Sequence, residues 1–474
     1  MNESRRHFVR VCAGLSAGAA GILSQRSIPL AATLAGIAAL ADKKAYAADT
    51  SGYKALVCVF FNGGSDMHNW VVPTDPTGYS EYAGVRRNLA VPRSALLDLS
   101  ASGQSTGRTF GLHPDLGSIR SLYENGNAAV LANVGTLDAP TTKADFQSGN
   151  NLPSKLFSHN DQQAMWLSGS PEGAFSGWGG RMGDILMAAN ANPLFTALSA
   201  TGNAVFLSGS SVAQFQVSGN GPVGIPTLKA TSINGSTGAP AALASIVADA
   251  GADDMQYEYA RIVQRSIAAN EQLGQAMAGG GVAPLAYSRV TASNGAVFTG
   301  SEDALTRQLN VVAQIVGASG SLGMRRQVFM VSMGGFDTHA RQMRDQPVLA
   351  ARVNHAIGQF MASLRSVGME NNVTLFTGSD FGRSLTTNGS GSDHGWGSHH
   401  FVVGGAVQGK RIYGKYPLTA LNTETDVGSG RLLPTTAVVQ YAATLGRWMG
   451  LSEQELSDVL PTLPNFGTQG LGFV

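Results

Sequence analysis

Three stretches of this chain are apolar almost without a break, and each stops at a glycine-bearing turn that carries an acid: residues 54–61, 326–333 and 372–377. A strand with one wet face alternates polar and apolar residues. An unbroken run must be buried on both faces, as in a parallel sheet covered by helices on either side. The turns that follow read Asn62-Gly63-Gly64-Ser65-Asp66, Gly334-Gly335-Phe336-Asp337-Thr338-His339 and Gly378-Ser379-Asp380-Phe381-Gly382-Arg383. Open α/β sheets bind their ligands beyond the C-terminal strand ends, which is where these polar clusters fall.

Further strands are expected at 128–134, 203–208 and 400–404. Helices are expected at 113–123, 160–168, 174–189, 242–277, 302–317, 345–366 and 434–449, with a last one opened by the capping box at Ser452. The alternation predicts an α/β fold, mainly parallel, in a single domain over 48–474. Residues 217–241 and 278–300 are rich in Gly, Ser, Thr and Pro, so an irregular insertion is expected at about 217–300.

The first 47 residues read as an address. Arg5-Arg6 precedes two mild apolar stretches, and Ala45-Tyr46-Ala47 is a small-x-small cleavage site. The expectation is a twin-arginine signal, export by the twin-arginine translocase, and a periplasmic or secreted chain. Residues 1–47 carry six basic and two acidic side chains, so the overall +1 becomes −3 for residues 48–474. That balance offers no basic surface for nucleic acid. Only Cys58 remains after Cys12 leaves with the signal, so no internal disulfide is available.

The candidate chemistry lies in histidines and aspartates. Of eight histidines beyond residue 47, six fall in loop-like clusters: His68, His159, His339, His394, His399 and His400. Asp66, Asp161, Asp337, Asp380 and Asp393 accompany them. Imidazole with carboxylate suits zinc, manganese or iron, and carboxylate with water suits magnesium or calcium. Arg383 can pair with a phosphate or sulfate oxygen. Structural alternatives stand beside these roles: Asp66 and Asp380 also fit as helix caps, and His159 as a surface residue at a helix start. Gly103-Gln104-Ser105-Thr106-Gly107 has the letters of a nucleophile elbow but no strand leading in. No HExxH and no phosphate-binding GxxxxGK[ST] loop occurs.

Together the twin arginine, the Phe61-to-Asp66 block with Asn69 and Val72-Pro73, the Gly334-to-His339 loop, the Ser379-to-Gly405 block and the Arg431-to-Leu445 tail resemble the bacterial secreted family called domain of unknown function 1501. That family is grouped with the alkaline phosphatase-like and sulfatase enzymes. The resemblance implies a three-layer α/β/α sandwich and one or two divalent metals, such as zinc, magnesium, manganese or calcium. It implies metal ligands at Asp66, Asp337, His339, Asp380, Asp393 and His394, with Asp66 substituting for a first-strand aspartate that falls at Asn62. It puts the nucleophile block at 158–169, with His159 nearest the nucleophile's place, and catalytic roles on His159 and Arg383. The histidine expected beside Asp380 is Phe381. The function implied is hydrolysis of a small anionic ester or glycan substrate bearing phosphate or sulfate. The alternative is a non-catalytic envelope protein that keeps a degenerate site and binds a protein partner.

Overall fold

The computed structural model describes residues 48–474 apart from 101, 249–253 and 468–469. The expected signal, 1–47, lies outside the described residues.

The main strands are β1 (Lys54–Phe61), β2 (Ala128–Gly135), β3 (Ala197–Ser199), β4 (Arg326–Met333), β5 (Val373–Ser379) and β6 (Ser398–Val403). The helices include α1 (Gly117–Glu124), α2 (His159–Ser168), α3 (Trp178–Leu186), α4 (Ala239–Ala248), α5 (Asp254–Gly279), α6 (Ala304–Gly317), α7 (Gln342–Ser366), α8 (Val438–Met449) and α9 (Glu453–Val459). The central sheet runs Ile412–Tyr413, β2, β6, β5, β1, β4, β3, Phe215–Ser218, Gly221–Pro222, with Thr436–Ala437 also on β2. β1 is parallel to both neighbours, pairing Lys54 with Arg326 and Ala55 with Val373. Within the main body only β6 runs antiparallel, against β5 and β2.

Alternation along β1 builds two cores. Ala55, Val57, Val59 and Phe61 join Ile119 of α1, Leu309 and Ile315 of α6, and Val353 and Phe360 of α7. Leu56, Cys58 and Phe60 face the other way, onto Trp166 of α2, Met182 of α3, Leu445 of α8 and Leu456 of α9. The strands are apolar throughout because each face meets a helix layer, which makes the three-layer sandwich. The Cys58 thiol lies inside this sheet, and burial pushes its pKa up. No helix of the described residues is long and apolar enough to cross a membrane.

Several expected elements differ. The strand expected at 203–208 is a 3-10 turn, Val205–Leu207, and the strand is Ala197–Ser199 instead. The Phe206 ring packs on Trp178 and against the bare face of Gly179, so this apolar run fills a core instead of a sheet position. His113-Pro114-Asp115 does not open α1, which begins at Gly117. The His113 amide instead donates to the Trp70 carbonyl at 3.0 Å, extending the pairing of Phe110–Leu112 with Val71–Pro73. The helix expected over 242–277 is two helices, α4 and α5. α8 starts at Val438, after Thr436–Ala437 has joined the sheet, and not at Pro434.

Candidate functional site

Three C-terminal strand ends and one helix start converge. The loop after β4 carries Asp337 and His339. Asp380 follows the last residue of β5, and the hairpin of Arg383–Thr387 with Ser392–His394 pairs Arg383 with His394 in register. α2 opens on half-buried His159, and Asp161 and Trp166 of the same helix are buried. The turn after β1 passes between these pieces. A Cβ on Gly63 would lie 2.5 Å from the Asp337 amide nitrogen, and one on Gly64 would enter the Phe381 ring. Both glycines have positive φ, so this close approach needs glycine twice over.

The three imidazoles are held in one pattern. His159 donates from Nδ1 to Asp380 Oδ2 at 2.6 Å, His339 from Nδ1 to Asp393 Oδ1 at 3.2 Å, and His394 from Nδ1 to the Phe157 carbonyl at 2.7 Å. With Nδ1 carrying the proton, each Nε2 presents a lone pair. All three turn towards Asp337. His339 Nε2 is 3.0 Å and His394 Nε2 3.4 Å from Oδ1, and His159 Nε2 is 3.6 Å from Oδ2. The Nε2 atoms of His339 and His394 are 2.9 Å apart. Two lone pairs at that distance repel unless a metal cation or a shared proton lies between them. An outward N–H on a carboxylate or carbonyl is the usual support of a metal-binding imidazole. The donor set therefore fits a divalent ion, and ligand atoms of His159, Asp337 and His394 lie within 4.8 Å of one another.

The electrostatics agree with this division. The hydrogen bond to Asp380 raises the His159 pKa against the effect of burial. Burial lowers that of His394, only partly offset by the Phe157 carbonyl. Burial pushes the Asp337 carboxyl up, but the hydrogen bond and charge of Arg383 outweigh it and the net direction is down.

Other expected site residues take different places. Asp66 is buried away from the cluster, where its carboxylate accepts from Arg86 Nη2 and Gln342 Nε2. It is the acid of a buried ion pair and not part of the histidine cluster. Arg383 is fully buried. It donates from Nη1 to Asp337 Oδ1 at 2.6 Å and to the Gly63 carbonyl at 3.3 Å, and from Nη2 to the Ser392 carbonyl. Both Nη groups are taken up in this way and Nη1 orients Asp337, while Nε is buried without a partner among the described residues. Asp380 and Asp393 are outer acceptors, with the Gly63 amide also donating to Asp380 Oδ2 at 3.1 Å. Phe381, where a histidine was expected, packs its ring 4.9 Å from His159 and 4.5 Å from His394, an apolar wall on two imidazoles.

Phe157 is a participant that sequence reasoning missed. Its φ of 70°, costly for a bulky residue, accompanies the carbonyl's contact with His394. A backbone carbonyl leaves no side-chain signal to find. Arg431 was missed as well: its guanidinium lies over the Phe157 ring at 5.0 Å and its Nε donates to the His394 carbonyl at 3.0 Å.

His68, His399 and His400 lie outside the cluster and are buried. Desolvation pushes His68 and His400 down to about 3 and His113 to about 4. The unfolded chain therefore takes up protons below pH 6.5 that the folded chain refuses. Stability should fall from pH 6.5 towards pH 4, by up to about 1.4 kcal/mol per pH unit for each such histidine. Urea midpoints at pH 7, 6 and 5 check this, and a midpoint that holds or rises on acidification contradicts it.

A family model described as protein of unknown function DUF1501 matches residues 53–460. The chain belongs to that family. No curated protein sequence matches this DUF1501 chain. Similar solved structures include Ps i-CgsB in complex with k-i-k-neocarrahexaose, at 10% identity and TM-score 0.33, covering 89% of this chain and 78% of that one. A Bacteroides thetaiotaomicron structure, reported with that organism's metabolism of multiple glycosaminoglycans, has 11% identity and TM-score 0.33 over 89% and 75%. The lipoteichoic acid synthase LtaP from Listeria monocytogenes has 9% identity and TM-score 0.32 over 86% and 75%.

Proposed function

We propose that the histidine–aspartate cluster holds one divalent ion and that the chain hydrolyses a phosphate or sulfate ester there. The observation that carries this reading is the inward facing of three Nε2 atoms around Asp337, each Nδ1 being tied to an outer acceptor. Asp337, His339 and His394 would hold the ion, and an imidazole-rich set suits zinc or iron better than magnesium or calcium. When bound, such an ion polarises an ester oxygen and makes water more acidic.

The chain's own groups supply the rest. His159 Nε2 takes the proton of the attacking water and returns it to the leaving oxygen. Asp380 holds Nδ1–H, fixes the ring and balances the imidazolium charge. Arg383 keeps Asp337 in place, and Phe381 excludes water from one side of the two imidazoles. Arg431, at the rim beside His394, meets the incoming anion. Export through the twin-arginine translocase would deliver this site already folded to the periplasm or beyond.

The chain purified after export should carry about one transition-metal ion and turn over an aryl phosphate or aryl sulfate. Chelation should stop turnover and added zinc or iron restore it. Metal-free protein without turnover contradicts the reading. Metal-loaded protein inert on both esters would favour a binding role at the envelope.

A further inference from the structure

The helix α5 carries one apolar stripe with two fates. Towards its C-terminal end Ala269 and Leu273 are buried in the core. At helical spacing the same face continues back through Ser266, Ile262, Tyr259 and Met255. There it is bare: Ile262 is 53%, Tyr259 70% and Met255 84% exposed. Ala260, on the opposite side, is buried, so this half of the helix is held to the molecule by its other face. Soluble chains rarely leave such a stripe in water without a partner for it.

We propose that this half of α5 pairs antiparallel with the same segment of a second copy. The charges select that occupant. With Met255, Tyr259, Ile262 and Ser266 at the seam, an antiparallel two-fold sets Tyr259 of one copy on Ile262 of the other and Met255 on Ser266. Glu258 and Arg265 then flank the seam on the same side, so each Glu258 meets Arg265 of the other copy, twice over. The patch is thus complementary to itself in shape and sign. An anionic lipid surface fits less well, since residues 217–300 hold four basic and five acidic side chains. In the single chain Glu258 lies 3.1 Å from Arg261 on an exposed flank, a weak pair that pairing across the seam can replace.

Sedimentation velocity of the exported protein over a concentration series tests this. A reversible dimer is expected. Tyr259→Glu with Ile262→Glu should leave only monomer, with an unchanged circular dichroism spectrum because both sites are exposed. Glu258→Arg should raise the dissociation constant by about tenfold or more, and Glu258→Arg with Arg265→Glu should restore it. Three results overturn the proposal: a monomer at every concentration to ~100 μM, far above the micromolar range of a modest interface, a dimer indifferent to Tyr259 and Ile262, or a double charge reversal that fails to rescue. Binding of vesicles of phosphatidylcholine with phosphatidylglycerol by a monomer, lost in Tyr259→Glu, would overturn it in favour of an anionic membrane.

Discussion

Asp337→Asn is expected to cost the chain its metal and its ester hydrolysis while leaving the fold standing. Asp337 is the carboxylate on which the three Nε2 atoms converge, and it is the partner of buried Arg383. Asparagine keeps an oxygen for Arg383 but removes the negative charge that a divalent ion needs. Loss of an outer partner typically costs about 10–100-fold in metal affinity or activity. That is the effect expected of Asp380→Asn, which only loosens His159. Loss of the inner carboxylate should exceed it, at more than about 100-fold. Metal titration and turnover measured side by side check the order. Asp337→Asn binding metal as tightly as the native chain would contradict it.

Asp66→Ala should do the opposite: damage the fold and spare the site. Arg86 is fully buried, and besides Asp66 its donors reach Asn69 Oδ1 at 3.0 Å and the carbonyls of Ser384 at 3.0 Å and Leu385 at 3.2 Å. Removing the carboxylate strands a buried charge, which costs about 3–5 kcal/mol. Against a total stability of roughly 5–15 kcal/mol this is severe. The metal content of the protein that still folds should not change. Unfolding in urea measures the first quantity and metal analysis the second. A loss below about 1 kcal/mol, well short of a broken buried pair, would contradict the placement of Asp66, and so would loss of the metal.

These outcomes bear on what the sequence made legible. The strands β1, β4 and β5 could be read because burial on both faces leaves an unbroken apolar run. Their end-loops could be read because catalytic and binding groups gather at the C-terminal edge of such sheets. Asp337, His339, Asp380 and His394 were found in this way, and the structure brings them together. Asp66 sits in an equivalent loop and looked the same. What separates it is Arg86, the last residue of the helix Pro76–Arg86, a partner whose approach has no local signature. For Arg383 a sequence shows the guanidinium but not the direction it takes, which for Nη1 is towards Asp337. β6 resembles its neighbours because a strand buried on both faces has the same composition whichever way it runs. For the same reason His399 and His400, next to each other in that strand, are both buried, one towards each face.

The most direct measurement is an anomalous difference map, collected at a transition-metal edge, from crystals of the natively exported protein. One peak is expected, coordinated by Asp337, His339 Nε2 and His394 Nε2, with His159 beside it and none at Asp66. A featureless map, with His339 and His394 sharing a hydrogen bond across their 2.9 Å separation, would contradict the central claim.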